Sequence, residues 1–454
     1  MNSTMKLAKF ISEFTLKGMN EELISKAKES LIDTMGVSIG AGKDPEINKI
    51  YNGLLACHEE GPATVWCKPI KTSLFAAALM NGMMGHTLEL DDVHKRSKCH
   101  AGAVVVPAAI AAGEYSGSSG KEVLEAIILG YETMVRIGMG FGVGSHRLKG
   151  WHVTSTAGTF GAAAAASKLL RLEYEQVLSA LGIAGTQSSG VWAFTADGAT
   201  SKKFHPGHAA SCGIMAAFLA KSGMRGPSRI LDADDGGLYP AMSDGYNFSV
   251  VDKSLGVIFE FSDIDRKPYS CCRSMHPPIN AVLNIKGREN LNIEDVDHIN
   301  VRTYKIAIVQ CGRTAEPGNV SEARFSMAYG MAVALIDGMA LPEQFSEERI
   351  RDERVLSLAR KISLYEDTAF SDMYPAKWAC EVEVFTSTGE RYIERIENAK
   401  GDPMNPLTEA ELEEKYMGLV SPVTGMEKAA VILDNLLHIQ DIDNISYITD
   451  LLRI

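Results

Sequence analysis

No apolar run in this chain reaches the roughly 20 residues that a membrane-spanning helix needs, so no membrane partner is expected. The N-terminus, MNSTMKLAKFISEF, also lacks the continuous apolar block and small-residue cleavage site of a signal peptide. Its apolar residues recur at helical spacing and predict a first amphipathic helix. There is no C-x-x-C. The cysteines at 57, 67, 99, 212, 271, 272, 311 and 380 repeat no spacing, which argues against a disulfide framework or a zinc site and for reduced thiols in a cytoplasmic protein. Aromatic residues are only 7% of the chain against 46% hydrophobic overall, so the core must be built from Ala, Leu, Ile, Val and Met. Positive charge is in deficit. A formal net charge of −12 argues against a nucleic-acid partner. It also repels an anionic substrate at long range. Screening acts over about 8 Å at physiological salt, so a local cluster of Lys, Arg and His can overcome that field.

The length, 454 residues, favours two domains. Up to about residue 225 the pattern is helical. Apolar stripes at three-and-four spacing cover 21–38, 72–86, 103–116, 121–138, 174–186 and 207–222, with Gly, Ser and Asp at the breaks. The small, apolar stretch 155–170 predicts a helix buried on most sides. Near Val257 the character changes. Residues 257–261 (VIFEF) and 297–309 read as strands, and 379–397 as a hairpin around Ser387-Thr388-Gly389. Helices are expected at 276–288, 321–337 and 346–361. Asp402-Pro403 breaks this pattern, and from Glu409 the chain is helical again. The expected fold is therefore mainly α: residues 1–256 and 402–454 form a large all-helical domain from both chain ends, and 257–401 form a smaller inserted α+β domain.

Five segments carry ionisable side chains. ELDDVHKRSKCHAG places Asp91, Asp92, His94 and His100 on a loop ahead of a small-residue helix. A helix start favours anions, and an imidazole there can hold a carboxylate or move a proton. The same residues suit a metal by type, although their spacing matches no standard metal pattern, and Asp can also cap helices. GWHVTST sets His152 at the mouth of the Ala-rich helix, with Thr154 or Ser155 as its cap. The alternative is a loop histidine bonded to backbone. The preceding GMGFGVG follows no strand and has no acidic ribose partner, so it is not read as a dinucleotide loop. In ATSKKFHPG only one of the two lysines is expected to point inward, because adjacent residues do not share a helix face. RKPYSCCRSMHPP gathers Arg266, Lys267, Cys271, Cys272, Arg273 and His276 at the junction of the two domains; packing or hydrogen bonding is the ordinary use of such cysteines. SEARFSMAYGMAVALIDG is a helix carrying Arg324 and Tyr329, and a tyrosine in such a helix serves either core or chemistry.

Read together, NGMMGHTLELDDVHKRSKCHAGAVVVPA, GWHVTSTAGTFGAAAAASKLL, SKKFHPGHAASCG, KPYSCCRSMHP, EARFSMAYGMAVALIDG and PLTEAELEEKY resemble, in the same order, the MmgE/PrpD family of 2-methylcitrate dehydratases, cis-aconitate decarboxylases and iminodisuccinate epimerases. The resemblance covers essentially the whole chain. It implies the fold above, a homodimer, no metal or organic cofactor, and an active site between the domains. It carries over His152, His100, Lys202, Asp91 and Tyr329, here expected in catalysis, and Glu89, Asp92 and Lys267, here expected in substrate binding together with Cys272 and His276 of the junction motif. The expected substrate is a small di- or tricarboxylate. The expected reaction is dehydration of the 2-methylcitrate type, with epimerisation or cis-aconitate-type decarboxylation as alternatives. Family members resembling cis-aconitate decarboxylase carry Asp, Thr and His where this chain has Glu89, Val93 and Cys272, and GWHVTST looks closer to iminodisuccinate epimerases.

Overall fold

The computed structural model describes residues 1–17, 19–57 and 59–454. It is mainly α-helical. Among the described residues, no helix is long and apolar enough to cross a membrane. The expected first helix forms at Ser3–Glu13 and buries Thr4, Leu7, Ala8 and Ile11. The Gly120–Gly140 helix starts at a capping box in which Ser119 and Glu122 satisfy each other's backbone N–H groups. Tyr174–Thr186 matches the pattern residue for residue.

Buried apolar residues fall into two clusters. One draws on residues 7–264 and on 412–452; the other lies within 271–399. At the centre of the first, Gly158–Leu169 is buried along nearly its whole length between the Gly120–Gly140 and Phe204–Lys221 helices. Small residues make that approach possible: a Cβ on Gly213 would sit 2.4 Å from that of Ala162. Glu409–Thr424 returns to pack on Glu21–Gly40 and buries Leu412, Tyr416 and Val420 in this same cluster.

The second cluster surrounds a four-stranded sheet in the order Ile362–Glu366, Val296–Thr303, Cys380–Thr386, Arg391–Ile396. The first pair is parallel and the others are antiparallel. The predicted hairpin is its Cys380–Ile396 portion. His276–Glu289 packs on this sheet and against Met327–Asp337.

Several expected elements differ. Residues 257–261 form turns and the start of a short 3-10 segment, not a strand. The backbone groups that a ladder would use are taken by a distant helix. Arg136 donates to the Ile258 carbonyl at 2.6 Å, and Glu132 accepts from the Phe261 N–H at 2.9 Å. The 297–309 strand ends at Thr303, and Lys305–Cys311 is helical. The 321–337 helix is interrupted between Ala323 and Met327, where Ser326 caps the second piece. Only Glu353–Ala359 of 346–361 is α-helical, started by an Asp352 cap. Residues 155–170 divide at Ala157 into Val153–Thr156 and Gly158–Leu169, and the N-cap is His152 itself.

One small ladder matters for function. Val93 and His94 pair antiparallel with Asp265 and Ile264. This brings the acidic loop beside the segment that carries Lys267.

Candidate active site

Asp91 is the hub. It follows the Leu74–Thr87 helix, which starts at a Ser73 cap and carries His86 in its last turn. Asp91 is fully buried, and one carboxylate oxygen accepts from His86 Nδ1 at 2.6 Å. His100 Nδ1 lies 3.1 Å from the same oxygen, without the alignment of a hydrogen bond. The other oxygen faces the Lys267 ammonium at 3.7 Å. Lys267 also donates to the Glu89 carbonyl at 3.0 Å and lies 3.7 Å from the Glu89 carboxylate. Lys202 closes the set with a short charged hydrogen bond to the other Glu89 oxygen. Two carboxylates and two ammonium groups thus alternate in a buried chain, Asp91–Lys267–Glu89–Lys202.

Burial alone would raise both carboxyl groups. For Glu89, Lys202, His86 and Lys267 outweigh it and hold the group well below the carboxylate range. For Asp91, His86, His100 and Lys267 do the same. Burial works against the Lys267 ammonium, but Asp91 and Glu89 overcome it and raise its pKa. All three are charged at neutral pH.

Histidines form the adjoining wall. The His86 ring lies 4.8 Å from His100 and 6.1 Å from His152, centroid to centroid. His152 Nδ1 meets His205 Nδ1 at 2.8 Å, so one of the two nitrogens is protonated and the other accepts. The Trp192 ring stands edge-on to His152 at 5.0 Å. Thr154, expected as a helix cap, instead accepts from the His100 N–H at 3.2 Å and joins the two histidine segments. Burial lowers His152 far below the usual histidine value, reinforced by His205 and Lys202. Burial likewise lowers His100 and His205 to about 4 each, in spite of Asp91 beside His100. His152 and His100 are therefore neutral near pH 7, the form in which an imidazole accepts a proton.

A cavity of about 910 Å³ opens beside this cluster. Its walls come from 44–46, 86–89, Arg147 and 192–203 on one side and from 309–325 and 342–347 on the other. His86, Glu89 and Lys202 line it. The two lysines divide as the helix argument requires: Lys202 turns inward, and Lys203 pairs at the rim with Glu46 at 2.6 Å.

Not every expected residue joins the cluster. Asp92 points away from it, accepting from the Gly102 N–H at 3.0 Å and the Tyr131 hydroxyl at 2.6 Å. It secures the start of the Gly102–Ser116 helix, and burial pushes its carboxyl up to about 7. His276 is sealed inside the second apolar cluster, 2.9 Å from Arg273 and 3.3 Å from the Cys271 carbonyl. Cys272 is half-buried. A hydrogen bond with the Cys311 thiol lowers it to about 7, although burial opposes this, and Lys267 and Lys202 add to the lowering. The structure also corrects the placement of Tyr329. Its hydroxyl donates to the Gln344 carbonyl at 2.6 Å, behind Phe345, which lines the cavity in its place.

Sequence reasoning missed His86, which reads as one more position in the apolar face of NGMMGHT. Its signal was a histidine five residues before an Asp, across a helix end. His205 was passed over as the plain neighbour of Pro206.

His86, Asp91 and His100 offer ligand atoms within 4.8 Å of one another, as do His94, Glu260 and Asp263. In the first group the Lys267 ammonium stands 3.7 Å from Asp91 and would oppose a cation. In the second, Arg96 already pairs with both carboxylates. Neither donor set suits a metal ion.

Comparison with known proteins identifies the family. Residues 5–251 match the MmgE/PrpD N-terminal domain, and residues 269–439 match the MmgE/PrpD C-terminal domain. The chain belongs to the MmgE/PrpD family. It is 27% identical to a cis-aconitate decarboxylase of Aspergillus terreus over 471 aligned positions, covering 99% of this chain and 96% of that protein. It is 27% identical to the cis-aconitate decarboxylase of Homo sapiens, covering 96% and 91%. A 2-methylcitrate dehydratase of Salmonella typhimurium is 22% identical, covering 83% and 82%.

Proposed function

We propose that this MmgE/PrpD protein is a lyase acting on a small di- or tricarboxylate, without metal or organic cofactor, by proton transfer at the carbon next to a carboxylate. The observation that carries the reading is the buried Asp91–Lys267–Glu89–Lys202 chain beside the His86, His100 and His152 rings, with Glu89, Lys202 and His86 reaching the cavity wall. Its organisation is proposed to be one helical domain, 1–256 with 402–454, and one α+β domain, 257–401. The scattered cysteines extend the proposal to a cytoplasmic protein, and the resemblance extends it to a homodimer.

In the dehydration reading, His152 takes the proton from the carbon beside the carboxylate. The C–H electrons become the new double bond as the C–O bond breaks, and hydroxide leaves as water with the proton that His152 has taken, handed on through neutral His100. Lys202 meets the carboxylate on which charge develops, and Glu89 and Lys267 fix the ammonium's position. Such preorganised donors are worth about 10²–10³ in rate each. Tyr329 joins the reacting groups only if Gln344 releases its hydroxyl. An anionic substrate raises the proton affinity of His152, so binding itself strengthens the base.

A second reading, decarboxylation, is favoured by the near full-length similarity to cis-aconitate decarboxylases. It makes the same demand, because loss of carbon dioxide leaves equivalent charge on carbon. The test is a turnover screen of citrate, 2-methylcitrate, cis-aconitate, malate and iminodisuccinate, read by mass spectrometry in deuterated water. Loss of water or of carbon dioxide separates the two lyase readings, and deuterium in re-isolated substrate without an alkene would replace both with epimerisation. His152→Ala should lose about 10²–10⁴ in turnover. Full activity in that variant would remove the base assignment.

A further inference from the structure

The lysines at the reacting end cannot supply net positive charge for an anion. Lys202 and Lys267 are matched one for one by Glu89 and Asp91. Lys203 is matched by Glu46. The cavity lining as a whole carries no positive excess, and the chain's overall charge is −12. Recognition of a polyanion must then come from cations with no carboxylate of their own.

Three arginines on the cavity wall meet that condition. Among the described residues, Arg147, Arg313 and Arg324 form no ion pair within 4.0 Å, although most other arginines do. Arg324 donates one bond, to the Thr87 carbonyl at 2.5 Å, and its buried Nε has no partner. Arg147 lies over the Trp192 ring at 4.2 Å, and its buried Nε also lacks a partner. Arg313 donates to the Thr195 carbonyl at 2.7 Å, from the same short loop that carries Trp192. Burial disfavours the Arg147 charge, and the Arg313 charge adds to that effect. Two like charges on one wall, neither with an ion-pair partner, favour the arrival of an anion. The other acids on the wall form no ion pair with these arginines: Asp44 caps its helix, Asp197 accepts from the Ala199 N–H at 3.2 Å, Glu322 accepts from Gly318 and Asn319, and Glu347 pairs with Arg351.

The spacing indicates which part of a ligand each arginine reads. Trp192 lies 4.2 Å from the Arg147 guanidinium and 5.0 Å from the His152 ring, which together cap the distance from guanidinium to imidazole at about 9 Å. Arg324 is nearer the charged chain, because its partner Thr87 is two residues from Glu89. A guanidinium recognises carboxylates with a planar, often two-pronged set of donors, and unlike a lysine it does not lose its charge on burial. At about 910 Å³ the cavity is also at the upper end of the range for small-ligand sites, with room beyond the reacting carbon.

We infer that Arg147 and Arg313 form an outer carboxylate subsite, with Arg324 as the inner one, so that the preferred ligand is a polycarboxylate with one carboxylate remote from the reacting carbon. This rests on the lyase reading for what happens at the inner end, but it concerns binding alone. It restricts the substrate to acids that span both subsites and places a dicarboxylate lacking the remote group among weak ligands.

The test is calorimetric binding of two unreactive probes, propane-1,2,3-tricarboxylate and 2-methylsuccinate, which is the same skeleton without one terminal carboxylate, to the full-length protein. The wild type should bind the tricarboxylate at least tenfold more tightly, with a gap that narrows as salt is raised. The Arg147→Gln/Arg313→Gln variant should lose about tenfold for the tricarboxylate and little for 2-methylsuccinate. Arg147→Lys/Arg313→Lys should recover part of that loss, since it keeps the charge; a purely structural defect would not recover. Arg324→Gln should weaken both probes. Equal affinity of wild type and the double Gln variant for the tricarboxylate, or no measurable wild-type binding, would overturn the inference. Failure of the lyase reading has a different signature: tight arginine-dependent binding with no acid turned over in the screen.

Discussion

Cutting the buried charge chain at Asp91 and Lys267 gives the sharpest test of the site's energetics. Asp91 is fully buried, Lys267 equally so, and their charged atoms are 3.7 Å apart. At an effective dielectric near 20, that separation corresponds to an attraction of about 4.5 kcal/mol. The cost of desolvating both groups offsets much of it, so the pair adds little net stability, but a lone survivor is expensive. Asp91→Asn leaves the Lys267 ammonium short of one counter-charge and weakens the acceptor for His86. Lys267→Met leaves two carboxylates facing each other. Each single variant should lose about 3–5 kcal/mol. The double variant removes one charge of each sign and should lose clearly less than the sum, with a coupling of at least ~1.5 kcal/mol. The assay is equilibrium urea unfolding at pH 7, followed by far-ultraviolet circular dichroism and by tryptophan fluorescence, with coincident transitions licensing the comparison. Additivity within ~0.5 kcal/mol would refute the idea that these charges compensate each other.

Three further outcomes follow from the same geometry. The Asp92 carboxyl is raised to about 7 by burial, above its unfolded value near 3.9, so the folded state holds the extra proton and wild-type stability falls as pH rises between those values. Asp92→Asn should therefore gain on wild type by ~2 kcal/mol between pH 5 and pH 8, and a pH-independent difference in urea midpoints would contradict the assignment. Because His152 is held well below the usual histidine pKa in the free protein, the acid limb of kcat/KM should lie well below the usual histidine range, with the limb of kcat displaced upward once an anion is bound; a kcat/KM limb at pH 6.5 would contradict this. Gly102→Ala would drive a Cβ to 2.2 Å from Thr34 Oγ1 and 2.8 Å from the Tyr131 hydroxyl, so it should cost ~1–3 kcal/mol and abolish the Asp92 pH effect, as thermal melting at both pH values would show.

Much of this was readable from the chain because local signals and tertiary packing agreed. Tyr174–Thr186 and Gly120–Gly140 have caps at both the expected ends, and their apolar stripes are the buried faces. The lysine rule expected one of the pair to point inward, and the resemblance named Lys202 as the site lysine; Lys202 reaches Glu89 while Lys203 pairs with Glu46. What escaped depended on distant partners. Nothing in VIFEF reveals that Arg136 and Glu132, more than a hundred residues earlier, take its backbone groups. Asp91 and Asp92 are neighbours with opposite roles, one joined to histidines and lysine, the other holding a helix start, and only the path of the loop decides which is which. His86 was hidden by its own helix periodicity. Arg147 and Arg313 lie far apart in the chain and carry no motif; their common cavity appears only when residues 192–199 fold between them.

Trp192 has a consequence of its own. Its indole lies between a fixed cation, Arg147, and an imidazole, His152, whose protonation changes when a proton is taken from substrate. A protonated imidazole draws electron density from an excited indole, whereas a neutral one does so weakly. The chain thus holds an optical gauge next to its reacting groups. In a variant with Trp66, Trp151 and Trp378 replaced by phenylalanine, emission from this one ring would follow ligand arrival and base protonation in real time, with no dye attached.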